Sequence, residues 1–332
     1  MPNIYDVAKR ARVSVATVSA VINRSSYVSP ALEKRVRTAI DVLNYSPNSL
    51  AQSLARQKTN TVGILIPDVA NPFFPEIVRG AEDRAKRAGY MVLLGNSDNQ
   101  VEKEELYLNL FLSKRVDGIL LVKAPGSLSP AMFNKLRQNR PPLVLVDRDY
   151  PELKADTVLA DDSGGAEMAT RHLLELGHRR IGIITGVPYA STTQGRLRGY
   201  QQALASFGIG SDPQLILEGD YGIESGYIAG KTLLARKPTA VLVTNFLMTV
   251  GFLKAMKEQK LRCPQDVSIV SYDDFVWNDV FEPCLTSVEQ PKYLLGCRSM
   301  EILLSRVQKR HKRPKFEVLP NSLRIRNSCR RV

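Results

Sequence analysis

Asn3 to Asn23 reads NIYDVAKRARVSVATVSAVIN, and its polar and apolar spacing describes two short helices broken at Arg12-Val13-Ser14. Asn3 is placed to cap the first helix, with Asp6 adding negative charge to its opening turn. Ile4, Val7, Ala8 and Ala11 then share one apolar face. Ser14 caps the second helix, whose Val18, Val21 and Ile22 point inward. That leaves Val15, Ala16, Thr17, Ser19 and Ala20 for the outer face and its edges, a surface small enough to enter a nucleic-acid groove. Ser29-Pro30 opens a third helix through Leu43, with Leu32, Val36, Ala39, Ile40 and Leu43 turned toward the other two.

Charge supports an anionic partner. The 332 residues hold 46 Lys+Arg against 33 Asp+Glu, a net +13, and residues 1–60 are locally more basic still, with Asp6, Glu33 and Asp41 their only anions. Spacing and charge alone fit a DNA reader and a three-helix protein-interaction module equally well. A second basic block at residues 305–332 has the composition of a solvated helix end and tail. Cys263, Cys284, Cys297 and Cys329 show no metal-ligand spacing and point to a reducing compartment. No opening segment resembles a signal peptide, and no apolar run approaches the roughly 20 residues that span a bilayer. The expectation is a soluble cytoplasmic protein without metal or cofactor.

After Ser46-Pro47-Asn48, the stretch SLAQSLAR (49–56) offers one or two further helical turns, too short to be helical alone in water. From Thr61 the texture becomes a regular α/β alternation. Apolar runs at 62–67, 90–95, 118–122, 143–147, 181–185, 240–244 and 267–274 read as buried parallel strands. The helix-length stretches between them carry 3.6-residue periodicity, which predicts βαβ units. The polar interval 150–165 separates two such series and reads as a crossover between two sheets.

IYDVAKRARVSVATVSAVIN, SPNSLAQSLAR, VGILIPDVANPFF, KRVDGILL (114–121), LGHRRIGIITG (176–186), GDYGIESG (219–226), PQDVSIVSYDD (264–274) and LTSVEQP (285–291), in this order, resemble the LacI/GalR family of transcription regulators nearly end to end. The resemblance implies a helix-turn-helix headpiece over 1–46, a hinge helix and linker over 47–60, and a core like a periplasmic sugar-binding protein over 61–332. The core's N-subdomain would take about 61–160 and 291–320, its C-subdomain about 161–290 and 321–332. Such proteins are homodimers or tetramers; no leucine heptad follows the core to build a tetramer. Departures from the family pattern fall at Arg12, where glycine is common, at Ala20, where arginine is frequent, and at Phe246 after Asn245.

On this resemblance the DNA-contacting residues are Ile4, Tyr5, Ser14, Val15, Ala16, Thr17, Ser19, Ala20 and Asn23 in the headpiece, with Asn48, Ala51, Leu54 and Ala55 in the hinge. Apolar members would meet thymine methyls, polar ones phosphates or base edges, and Leu54 would wedge a base step of a roughly palindromic double-stranded operator from the minor groove. A small-molecule effector, a sugar or sugar acid, would sit where strand C-terminal ends face each other. Asp68, Asn71, Phe73, Asp98 and Asp147, with Arg148 beside it, come from one lobe; Arg196, Tyr221, Asn245, Asp273 and Gln290 come from the other and the crossover. Carboxylates, an amide and a guanidinium around aromatic rings suit a polyol, although strand-end carboxylates also serve as caps, and Arg196 and Asp273 also suit an ion pair. A sugar-binding transport component is the competing use of the same core. Enzyme readings find no phosphate loop, no GxSxG elbow and no HExxH.

Overall fold

The computed structural model describes residues 2–23, 26–45, 58–280, 282–309 and 313–332. The stretch 49–56 and the hinge positions Asn48, Ala51, Leu54 and Ala55 therefore lie outside the described residues. The chain divides into two compact units, Met1–Thr59 and Asn60–Val332.

Among its described residues the first unit holds three helices: α1 (Ile4–Ala11), α2 (Val15–Asn23) and α3 (Pro30–Leu43). Their miniature core is Val7, Ala8, Ala11, Val18, Val21, Val36 and Ala39. Each larger member contributes about 1.5–3 kcal/mol on burial, enough to hold three helices that would be marginal singly. Ile4, Val15, Ile22, Ile40 and Leu43 flank it, half-buried.

The second unit contains two six-stranded sheets. Sheet A runs β11-β5-β4-β3-β1-β2, all parallel, using β1 (Thr61–Ile66), β2 (Met91–Asn96), β3 (Gly118–Leu121), β4 (Leu143–Val146), β5 (Asp156–Ala160) and β11 (Phe316–Leu319). Sheet B runs β12-β10-β9-β8-β6-β7, with β6 (Ile181–Thr185), β7 (Ile216–Glu218), β8 (Ala240–Val243), β9 (Ser268–Tyr272) and β10 (Thr286–Glu289) parallel and β12 (Ser322–Arg324) antiparallel to β10. The chain thus leaves sheet A after β5, builds sheet B, returns for β11 and ends in B.

Helices α4 (Phe73–Arg87), α5 (Val101–Ser113), α6 (Pro130–Asn139) and α11 (Lys292–Val307) accompany sheet A, and α7 (Asp162–Glu175), α8 (Ser191–Ser206), α9 (Ile223–Ala235) and α10 (Phe246–Glu258) accompany sheet B. The interval 150–165, read as a plain crossover, contains a full strand. Its β5 opens on Asp156 and offers only Val158, Leu159 and Ala160 as an apolar run, so the buried ladder it enters is not visible locally. The returning helix α11 meets α4 through glycines: a methyl on Gly80 would stand 2.1 Å from the Tyr293 carbonyl, and one on Gly296 2.0 Å from that of Ile77. Those two positions let the backbones touch and fix α11 on sheet A. No helix among the described residues is long and apolar enough to cross a membrane.

Candidate functional site: a DNA reader and an inter-lobe cleft

In the first unit, Asn3 and Asp6 complete a reciprocal cap. Asn3 Oδ1 accepts the N–H of Tyr5 (2.9 Å) and Asp6 (3.2 Å), and Asp6 Oδ2 accepts that of Asn3 (2.9 Å). Helix α1 ends at Arg12, which adopts φ 52°, ψ 50°, a left-handed conformation costing a residue with a side chain roughly 1 kcal/mol. Arg35 on α3 braces this turn, its Nη2 donating to the carbonyls of Ala11 (2.6 Å) and Arg12 (3.1 Å). Nothing in the spacing of the sequence points to Arg35. Ser14 Oγ accepts the N–H of Thr17 (3.1 Å) and starts α2.

The outer face of α2 is narrower than expected. Ala16 is exposed, Thr17 and Ser19 are half-exposed, and Asn23 Nδ2 donates to Ser19 Oγ (3.1 Å) one turn back. Ala20 is corrected: at 9% exposure it is buried, because a single methyl reaches little beyond the helix backbone and neighbours a turn away cover it. Val15 spends part of its surface on the headpiece core. Tyr5, expected at DNA, is 70% exposed.

In the second unit, the C-terminal ends of both sheets converge on one cleft. A small inner cavity of about 20 Å³ is lined by Asn71, Phe73, Asp147, Arg196, Tyr221, Asn245, Asp273 and Gln290, all expected, and by Phe74, Arg148 and Thr192. Phe74 follows directly on Phe73 and stands edge-on to it, centroids 5.1 Å apart. Thr192 opens α8, where three consecutive hydroxyl residues gave no positional signal. Two other expected residues, Asp68 and Asp98, do not line this cavity: Asp68 Oδ1 accepts the Ala70 N–H (2.9 Å) in a local turn, and Asp98 is exposed and paired with Lys103.

Three lining residues at strand ends or the loop after β7, Asp147 (φ 68°), Tyr221 (φ 72°) and Asp273 (φ 72°), hold left-handed backbone. Such conformations persist where the surroundings over-determine them, as at ligand sites. Arg196 pairs with Asp162 (Nε–Oδ1 2.7 Å), donates to the Thr244 carbonyl (2.6 Å) and stacks 4.1 Å from the Tyr272 ring centroid. Burial works against its charge, but Asp162, Tyr272, Asp273 and Asp147 prevail and hold the guanidinium protonated. Arg148 donates to Asn99 Oδ1 (2.8 Å) and the Lys123 carbonyl (3.1 Å) and lies 5.3 Å from the Tyr221 ring centroid across the cleft.

Burial pushes the Asp147 carboxyl up to about 7, with Arg148 opposing and Asp162 reinforcing. Asp162 is likewise raised by burial against the pull of Arg196. Two buried polar atoms on the cavity wall, Arg148 Nε and Gln290 Oε1, have no hydrogen-bond partner among the described residues, a costly condition in a protein interior. Outside Arg148 the cleft widens to about 410 Å³ between Lys123 and Tyr150 of one lobe and Tyr189 and Gln194 of the other. Asp149 N–H donates across it to Ser191 Oγ at 2.9 Å. No group of His, Cys, Asp and Glu among the described residues is arranged to hold a metal ion.

Residues 3–48 match the pattern of bacterial regulatory proteins of the lacI family, and residues 170–329 that of the periplasmic binding protein-like domain. The chain is 36% identical over 326 residues to the HTH-type transcriptional repressor PurR of Aliivibrio fischeri (strain MJ11), covering 96% of each. It is similar to a lac repressor dimer solved with operator and the anti-inducer ONPF (TM-score 0.87, 29% identity, 98% of each chain). It is also similar to a transcriptional regulator CelR–cellobiose complex (TM-score 0.75, 32% identity, 99% of this chain and 100% of that one).

Proposed function

Since the chain belongs to the lacI family of bacterial regulatory proteins and is a DNA-binding transcriptional repressor rather than an enzyme, we propose that a neutral polyhydroxylated ligand, a sugar, held in the cleft sets its affinity for operator DNA. The observation that carries this is the charge balance of the cavity. Asp147 and Asp273 line it and Asp162 stands behind Arg196, while both guanidinium groups already face acceptors of the protein itself. A ligand carboxylate would add negative charge beside Asp273 and Asp162 and beside an Asp147 carboxyl that burial already drives toward its neutral form, at a cost of several kcal/mol. Hydroxyls donate to Asp147 and Asp273 and accept from Arg148 Nε, and the faces of Phe73, Phe74 and Tyr221 cover a ring's apolar side. Of the two effector classes, sugar and sugar acid, the acid is disfavoured.

An inner cavity of about 20 Å³ holds one water molecule at most, so a sugar ring requires the lobes to part. The ligand's leverage on DNA equals its preference for one lobe arrangement over the other, typically 1–3 kcal/mol of coupling. We take release from the operator on ligand binding as the working sense, in a homodimer that places two headpieces on a roughly palindromic site in the nucleoid. In each headpiece Ala16, Thr17 and Ser19 read the groove, Tyr5 and Asn23 flank it, and the hinge positions Asn48, Ala51, Leu54 and Ala55 act between the half-sites.

The test is a thermal-shift screen in which neutral mono- and disaccharides are compared with the matching uronic and aldonic acids. A neutral sugar raising the core transition, with its acid weaker by tenfold or more, is the expected result. An acid that binds more tightly than its neutral parent sinks the charge argument.

A further inference from the structure

Sheet A has a second edge, opposite the cleft, where the chain enters every strand. Because all six strands run parallel, the connections into them line up there in the order β11, β5, β4, β3, β1, β2. Lys309, Arg313 and Lys315 precede β11, Lys154 precedes β5, and Arg137 and Arg140 precede β4; all are exposed. Exposed Lys114 precedes β3, and exposed Lys86 and Arg87 precede β2. Acidic residues on the same connections are few. Asp156 is buried against Arg306 (2.8 Å), Asp117 accepts the Asn60 N–H (2.9 Å), and Glu152 alone is exposed among the described residues.

Helix C-termini attract cations through their dipoles, and helices end on this edge, so some positive charge needs no further account. Sheet B gives the comparison, since its helices end in the same way. There Arg180 pairs with Asp212 and Arg262 with Asp266, both at 3.6 Å, and exposed Glu175 and Glu258 interleave with the lysines. Dipoles account for cations on both edges; they do not account for one edge having almost no anions.

Asn60, the first residue of the second unit, stands at this same edge directly before β1. Six strands about 4.8 Å apart make a row of about 24 Å, the length of about seven base pairs carrying roughly fourteen phosphates. A groove of about 910 Å³ with Leu136, Leu153 and Val307 on its floor is rimmed by Arg137, Arg140 and Lys154.

We propose that this basic edge of sheet A is a second DNA-contacting surface, meeting the phosphate backbone without reading sequence. It rests on the DNA-binding reading of the chain and adds a contact that the helical unit does not supply. The row of cations releases counterions from the duplex, so its contribution is steep in salt.

The experiment uses the full chain and a random-sequence duplex of about 40 base pairs, with binding followed by fluorescence anisotropy across a salt series. One variant carries Arg137→Gln, Arg140→Gln, Lys154→Gln and Lys309→Gln; a control carries Arg236→Gln, Lys237→Gln, Lys257→Gln and Lys260→Gln on the other lobe. The first is expected to lose at least about tenfold in affinity at about 0.1 M salt and to flatten the log–log slope by about 0.9 for each phosphate it no longer neutralises. The control is expected to stay within about twofold of the unmodified chain. Equal behaviour of the first variant and the unmodified chain, or equal losses in both variants, overturns the proposal. So does a first variant that keeps DNA but no longer retains poly-glutamate, which would assign the edge to an acidic polypeptide. An unmodified chain that binds no DNA removes the parent reading and this one with it.

Discussion

Gln290 donates from Nε2 to Asp273 Oδ1 at 2.6 Å, while its own Oε1, equally buried, accepts nothing among the described residues. The pair sits where β10 hands the chain back to sheet A, so it joins a strand end of one lobe to the crossover that carries the other. Asp273→Asn leaves the shape and removes the charge that a ligand hydroxyl would meet. Charged hydrogen bonds contribute about 1.5–3 kcal/mol, so isothermal titration with the best sugar of the screen should show a loss of roughly 10- to 150-fold, while DNA binding without ligand stays unchanged. Unaltered sugar affinity would remove Asp273 from the site.

Asp147 gives a pH dependence whose sign follows from its burial. Its carboxyl is held up to about 7 in the fold against 3.8 as the ordinary value, so the folded chain keeps a proton that the unfolded chain releases. That contribution is complete below about pH 4 and is lost as pH rises through 7. Asp147→Asn stays neutral throughout. In denaturant melts of the core the variant should gain on the natural chain by on the order of 2–4 kcal/mol at pH 8 and by little at pH 4. A difference that does not change between those pH values contradicts a protonated Asp147.

Seven helices of the core, α4 to α10, were legible because each buries one face of a two-layer unit, and β1, β3, β4, β6, β8 and β9 because they are buried on both faces and read as continuous apolar runs; β2 reads as such a run although Met91 and Leu94 are exposed. Strands β5, β7, β10, β11 and β12 were not, since β5 opens on Asp156, Ile216–Glu218 spans only three residues, Thr286–Glu289 holds Val288 as its one aliphatic residue, and Phe316 and Val318 are exposed at a sheet edge. The cleft residues came from resemblance and strand-end position. That criterion cannot separate Asp147, which faces the cavity, from Asp98, which faces Lys103: both hold left-handed backbone, and the difference is set by the lysine five residues on from Asp98. Arg35 and Thr192 act through partners brought by tertiary folding, and no local pattern marks them.

Arg12 separates stability from DNA contact. Its φ of 52° suits glycine, so Arg12→Gly should stabilise the helical unit by up to about 1 kcal/mol, read as a higher midpoint in its melting transition. If the arginine is retained there to meet a phosphate, the same substitution lowers nonspecific DNA affinity and reduces its salt slope by about 0.9. A stabilised variant with unchanged DNA binding would leave the strained arginine as a structural accident.

Ala20 is buried and Ala16, Thr17 and Ser19 are short, so the groove face of α2 has no long side chain for bidentate base contacts, each of which discriminates by about 1–3 kcal/mol. Specificity must then come largely from half-site spacing and from deformation of the duplex between the half-sites, whose cost depends on sequence and is on the order of 1–6 kcal/mol. Leu54 is the residue that the family resemblance assigns to that deformation. Leu54→Ala should therefore weaken binding to an inverted-repeat operator by at least about tenfold and binding to random duplex by little, because wedge insertion is repaid only where the base step yields. Competition between the two duplexes measures the ratio directly, and equal losses on both would return the burden of specificity to α2.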